Sequence, residues 1–436
     1  MGYYGDANEI LERGFSLMSM YLIVNIIGVL VYLGIAFLFS KKKKAINWKS
    51  TAIVLVLTLV IAWILTSFSW GRDAVQAAAN GFNWLVQVAY QGIVFALPNW
   101  VTADYGGTAK TMNFVTSSLL PILLIVPMFD ILTYIGVLPW IIKWIGRGLS
   151  AITGQPKFES FFSVEMMFLG NTEALAVSRL QIQTMRAERN VTLAMMSMSC
   201  ITASIVGAYT QMVPGNYVLT AIPLNILNAI VVTNILNPVD VTKEEDTIAK
   251  IGGASAAEEA EMDDGKKEPF FSFLGDSILG AGRLILIIAA NVIAFVALAA
   301  LIDKILALFN PWLSLEHILG IIMFPFAWLM GLDVHDAFQF AQYMGTKLVT
   351  NEFVVMGKIA PTIHDVTKYG AHYQAQLTVF LTSFANFSTT GMIIGAFKGL
   401  ADKESNALIS KNVGYMLLSG ILVSLLSAGI VGLFVW

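Results

Sequence analysis

Long apolar segments separated by short polar ones set the pattern of this chain. A membrane-spanning helix needs about 20 mostly apolar residues. That template selects segments near 18–40, 50–70, 115–138, 190–213, 217–237, 279–307, 372–397 and 411–435. None of them alternates over roughly ten residues as a membrane β-strand would. The pattern therefore predicts an all-α polytopic membrane protein with about eight transmembrane helices.

Two stretches depart from the template. Residues 158–185 begin apolar, turn polar at Asn171, Thr172 and Glu173, and end basic at Arg186. Residues 334–360 behave alike, with Thr350, Asn351 and Glu352 between a helix-like start and the apolar return Phe353–Met356. Each half is too short to cross, and the halves meet at polar residues, so two re-entrant hairpins are predicted. About thirty residues past each glutamate comes a span interrupted by small polar residues, Cys200–Tyr209 in the first case and Phe384–Gly391 in the second. Such paired units, entering from opposite sides, point to an inverted-repeat transporter whose site lies where the repeats meet.

Composition agrees: 57% of residues are hydrophobic and 13% charged, too apolar to cover a soluble protein of this length. The net charge of −3 matters less than where the bases fall. Lys41–Lys44 follow the first span, and the positive-inside bias places them in the cytoplasm, with the N- and C-termini outside. Lys143, Arg147, Lys157, Arg179, Arg186, Arg189, Lys398, Lys403 and Lys411 fall inside on the same count. The stretch 71–114 falls outside and reads as partly interfacial helices. Trp140 and Trp144, with Lys143 between them and Arg147 beyond, suit a short amphipathic helix in the cytoplasmic interface. Residues 240–268, highly charged and poor in large apolar groups, read as a mobile cytoplasmic loop. The N-terminus lacks the positive region of a signal peptide, so the first span is expected to stay. The single cysteine, Cys200, carries no compartment information, and no basic patch suggests nucleic acid.

The polar groups at depth are the candidate chemistry. A carboxylate at the bilayer centre costs about 2.5–3.5 kcal/mol or more, so Glu173 and Glu352 are expected to serve a function, neither having an evident cationic neighbour in sequence. Asn386 in mid-span is expected to do so too. Thr202, Ser204 and Ser388 can instead bond backbone carbonyls of their own helices. Glu165 fits either a site or an interfacial position.

At these residues the sequence resembles the concentrative nucleoside transporter family, specifically its bacterial nucleoside permeases. The family pattern Gly-Gln-Ser/Thr-Glu stands here as Gly170-Asn171-Thr172-Glu173, Asn-Glu-Phe-Val as Asn351–Val354, and Phe-Ala-Asn-Phe-Ser-Ser as Phe384–Thr389, with Ser204–Tyr209 also matching. The resemblance implies a homotrimer in a lipid bilayer, the bacterial cytoplasmic membrane, with a fixed scaffold and a mobile part that carries a nucleoside. It divides the chain into scaffold helices and an interfacial helix (1–150), a first repeat (151–238), the loop (239–270), a scaffold helix (271–315) and a second repeat (316–436). It assigns Asn171, Thr172, Glu173, Ile205 and Phe384 to the nucleobase, and Glu352, Asn386 and Thr389 to the ribose hydroxyls. Sodium-coupled relatives place an Asn four residues before the hairpin glycine and a hydroxyl at the next break, where this chain has Met166 and Cys200. Sulfur ligands suit a hard cation poorly, so H+ is expected as coupling ion over Na+, with Glu173 or Glu352 as proton carrier and no cofactor. The alternatives are sodium symport, a membrane-embedded enzyme and a passive channel. No His-Glu-x-x-His or Gly-x-Ser-x-Gly supports the enzyme.

Overall fold

In the computed structural model, residues 7–101, 112–248 and 268–436 are described; the side chains of residues 7–19 and of Thr172 lie outside that part. Among the described residues every regular element is helical. Six helices are long and apolar enough to span a membrane: Met20–Leu38 (within α1, Ala7–Leu38), α2 (Trp48–Ser67), Val115–Tyr134 (a π turn running into α5, Ile122–Tyr134), α12 (Gly215–Leu236), α13 (Phe270–Ala307) and α20 (Val413–Gly432).

The other two expected spans are each a pair of half-helices. The first is α10 (Ala187–Ser197) followed by α11 (Ala203–Tyr209); the second is α17 (Ala371–Leu381) followed by α18 (Phe387–Leu400). Side chains that restart the helix cause the breaks. Thr202 Oγ1 accepts from Ser204 N at 3.1 Å, and Asn386 Oδ1 accepts from Thr389 N at 2.8 Å, so each second half begins with its own N-cap.

Both hairpins form. The first comprises α7 (Lys157–Phe168), α8 (Asn171–Val177) and α9 (Arg179–Thr184); the second comprises α15 (Val334–Val349) and α16 (Glu352–Ile359), whose N-cap Asn351 accepts from Val354 N at 3.1 Å. Each hairpin follows an accessory helix, α6 (Val137–Thr153) and α14 (Leu315–Trp328), and precedes a broken helix and a long one. Between the hairpins the chain makes three crossings, through α10/α11, α12 and α13. An odd number of crossings inserts the two hairpins from opposite faces.

The interfacial helix α6 starts and ends at left-handed glycines, Gly136 (φ 86°) and Gly154 (φ 67°), which a side chain would strain. It exposes Trp140 and Trp144 while Leu138, Ile142 and Leu149 are buried. Gly146 lets it lie directly on the first hairpin: a Cβ there would stand 3.0 Å from Phe161 Cα.

The stretch 71–114 is helical as expected, but as one continuous helix, α3 (Ser69–Ala96), followed by the short α4 (Pro98–Val101), neither among the six candidate spans; residues 102–111 lie outside the described residues. A buried stripe of Val75, Ala79, Val86 and Ile93 carries α3 along the fold until Pro98. The loop expected to be mobile is anchored over its first residues. Asp246 Oδ1 accepts from Lys157 N at 2.6 Å, Glu245 pairs with Arg186 at 2.8 Å, and Arg189 donates to the Glu245 carbonyl at 3.0 Å. Local composition could not show partners that lie on the first hairpin and α10. Residues 249–267 lie outside the described residues.

Helices α12 and α20 are buried along most of their length and form the centre, whereas α13 buries only Ala281, Ile285 and Ile288. Gly420 on α20 is where the two breaks converge. A Cβ there would meet Ala385 Cβ at 2.9 Å and Met198 Cβ at 3.0 Å.

Candidate substrate site between the two repeats

Glu352 is the first residue of α16, directly after its N-cap, and is 3% exposed. Both its carboxylate oxygens accept hydrogen bonds: Oε1 from the Tyr209 hydroxyl at 3.0 Å and Oε2 from Asn386 Nδ2 at 3.2 Å. Each carboxyl oxygen keeps a lone pair for a further donor. Asn386 uses both ends of its amide, the oxygen as cap of α18 and the nitrogen on Glu352. The Tyr209 ring packs edge-on against Phe353 at 5.0 Å. Tyr209 ends the first broken helix, so this carboxylate is held from both repeats.

Tyr209 and Lys347 were missed as site residues in the sequence. Tyr209 gave no polar signal, because a tyrosine at the end of an apolar half-helix reads as core. Lys347 corrects the expectation that Glu352 lacks a cationic neighbour. It sits on α15, is 0% exposed, and donates from Nζ to the Phe380 carbonyl at 2.5 Å and to Ser383 Oγ at 2.7 Å. It stands five residues before Glu352, on the other leg of the hairpin tip. A base at this depth is as costly as the acids and was the available signal.

The first hairpin is arranged differently. Glu173 Oε2 accepts from the Gly170 N–H at 2.7 Å, closing the turn onto α8, and the side chain keeps solvent access. Asp130 of α5 is bonded by the Ser277 hydroxyl. Asn171 is buried, and its amide has no partner among the described residues. Thr172 lies on the helix, its side chain outside the described part. Ile205 and Thr389 are buried and Phe384 half-buried. Helix α8 packs on α18, and Thr390 Oγ1 lies 3.7 Å from Met198 Sδ, so the first hairpin and both breaks adjoin. Glu165 is not interfacial: it is buried and accepts from Ser178 within its own hairpin at 2.8 Å.

The two sulfur residues are also fully buried. Met166 Sδ accepts from Ser197 Oγ at 3.4 Å, and the Cys200 thiol donates to the Met196 carbonyl at 3.4 Å. At the hairpin's base Arg189 forms a bidentate pair with Glu159, both bonds 2.8 Å, with both side chains buried.

Compared with known proteins, residues 27–100 match the family model described as Na+ dependent nucleoside transporter N-terminus, and residues 217–432 match its C-terminal counterpart. The chain belongs to the concentrative nucleoside transporter family. It is 45% identical to the purine nucleoside transport protein NupG of Bacillus subtilis over 417 residues, which is 96% of this chain and 100% of that one. The putative nucleoside permease NupX of Escherichia coli is 29% identical, with 94% and 98% covered. An inward-facing, substrate-bound structure of CNTnw superposes with a TM-score of 0.86 at 24% identity, covering 95% of this chain and 98% of that one. An outward-facing variant of CNTnw gives 0.86 at 23%, and both show the shared fold. The protein is thus a multi-pass membrane transporter of nucleosides in a family of carriers, not of enzymes. The first hairpin, inside residues 101–216, falls between the two matched regions.

Proposed function

We propose that this protein carries purine nucleosides inward across a bacterial cytoplasmic membrane, driven by protons. The observation that carries the nucleoside reading is the Glu352 carboxylate, held by Tyr209 and Asn386 where the repeats meet, with lone pairs free for ribose hydroxyls. Asn386 and Thr389 complete the ribose side. On the other side Asn171, whose amide is uncommitted, reads the base edge with Thr172 and Glu173, and Ile205 and Phe384 pack its faces. Purine preference rests on the 45% identity to a relative named for purine nucleosides.

Proton coupling rests on the sulfur groups at Met166 and Cys200, which offer a hard cation neither charge nor oxygen. Glu173 is the better carrier of the two glutamates, because one of its oxygens has no partner among the described residues and its side chain is accessible. The protein works as a homotrimer, the exposed faces of α13 covered by neighbouring copies and lipid, with the hairpins moving as a lift. Both termini lie outside.

Uptake of labelled inosine, competed by uridine, adenosine and guanosine, tests the substrate. The measurement is repeated with sodium replaced by choline, and again with the pH gradient collapsed. The reading expects purines to compete best and uptake to survive without sodium but not without the pH gradient. Uptake that follows sodium alone establishes the sodium symport that the family's description names.

A further inference from the structure

The repeats can be aligned residue by residue at their hairpin tips and breaks. Gly170 and Asn351 are the N-caps of the second hairpin legs, and four residues before each stand Met166 and Lys347. The breaks are residues 198–202 and 382–386, five in each, so the next-to-last helical carbonyls, those of Met196 and Phe380, correspond. In the first repeat that carbonyl is bonded by a thiol, Cys200, and Met166 accepts from Ser197. In the second, Lys347 reaches across and bonds it with Nζ. The C-terminal end of a half-helix carries partial negative charge, and an ammonium there is favourably placed. One repeat thus contains a tethered lysine where the other has sulfur and a hydroxyl, Ser199 Oγ also donating to the Met196 carbonyl at 3.2 Å.

The hydrogen bonds beyond Lys347 have one direction. Ser424 Oγ donates to the Gly420 carbonyl at 2.9 Å, so in its 2.6 Å bond with Ser383 it is the acceptor. Ser383 then donates to Ser424 and accepts from Lys347. The relay runs from α15 through the second break to α20, with Lys347 as its source. It fixes the lysine against the second break, whose last residue, Asn386, caps the next half-helix and donates to Glu352 at 3.2 Å.

We propose that Lys347 is a positioning residue for substrate selection: it sets the charge and place of the Glu352 carboxylate, and so makes transport depend on the ribose 2′- and 3′-hydroxyls. The inference rests on the ribose reading given above. A strut would serve fold and abundance alone; a positioning charge changes which substrate is preferred.

The experiment measures KM for inosine and for 2′,3′-dideoxyinosine in reconstituted vesicles holding the full chain. Wild type, Lys347→Met, Lys347→Arg and Ser383→Ala are compared. The wild type favours inosine. Lys347→Met raises the inosine KM about tenfold, the size expected for a weakened charge-assisted bond, and leaves dideoxyinosine within about twofold. Lys347→Arg keeps most of the preference, and Ser383→Ala shifts it the same way by less. If Lys347→Met does not assemble, the other two variants carry the test. Preference undiminished in the assembled variants, whatever the loss of Vmax or abundance, overturns the inference alone. Equal KM values in the wild type overturn the ribose reading and the inference with it.

Discussion

In the first hairpin the tip glutamate closes onto its own backbone and keeps solvent access; in the second it is buried, binds two side chains and follows a buried lysine by five residues. The buried base of the first repeat is instead at the hairpin's foot, where Arg189 grips Glu159 and the Glu245 carbonyl. The order of elements is the same in both repeats, so the fold does not require either arrangement. What differs is where charge is compensated. The second tip's carboxyl is held by two donors, while the first is left accessible, and the proposed proton role of Glu173 rests on that difference.

Separating foot from tip gives the largest effect. Arg189→Met leaves Glu159 buried and unpaired, a loss of about 3–5 kcal/mol, and a thermal-unfolding assay on detergent-solubilised protein should show it. Arg189→Met with Glu159→Leu should recover much of that loss, since the pair is then removed together. Glu352→Gln keeps the shape of the second tip and removes its charge. Inosine affinity should fall about 30- to 100-fold, or about 2–3 kcal/mol, with unfolding temperature little changed; a drop in temperature without a drop in affinity would make this glutamate structural. Tyr209→Phe deletes one of that carboxylate's two donors and should cost about 1–2 kcal/mol of affinity, about a fifth to a third of the Glu352 effect in fold-change.

The first tip is broken by Glu173→Gln. In vesicles this variant should exchange internal for external inosine, yet lose the stimulation that an acidic exterior gives the wild type. Stimulation kept by Glu173→Gln and lost by Glu352→Gln would reverse the roles assigned to the two tips. The smallest effect concerns the breaks themselves: Thr202→Ala removes an N-cap and should lower stability by about 1 kcal/mol.

Much of the fold was legible because its signals are local. Asn351, Thr202 and Asn386 bond an amide two or three residues ahead, so the polar residues that betray a tip or a break also cause it. The long helix α3 was less legible, its stripe of small apolar residues being diluted by Gly, Asn and Trp. The site was half legible. Glu173, Glu352 and Asn386 stood out as polar groups in apolar runs, but Tyr209 looked like core and Lys347 was not singled out.

The sequence by itself determined the number of apolar segments, the two polar hairpin tips and the two interrupted spans, because hydropathy and capping act over a few residues. Only the tertiary structure decided which of those polar groups meet. The Tyr209 hydroxyl reaches Glu352 from 143 positions away, and Lys347 reaches Ser383 from 36. In the membrane interior each such group must find a partner, and close packing of the two repeats, which no local pattern encodes, supplies it.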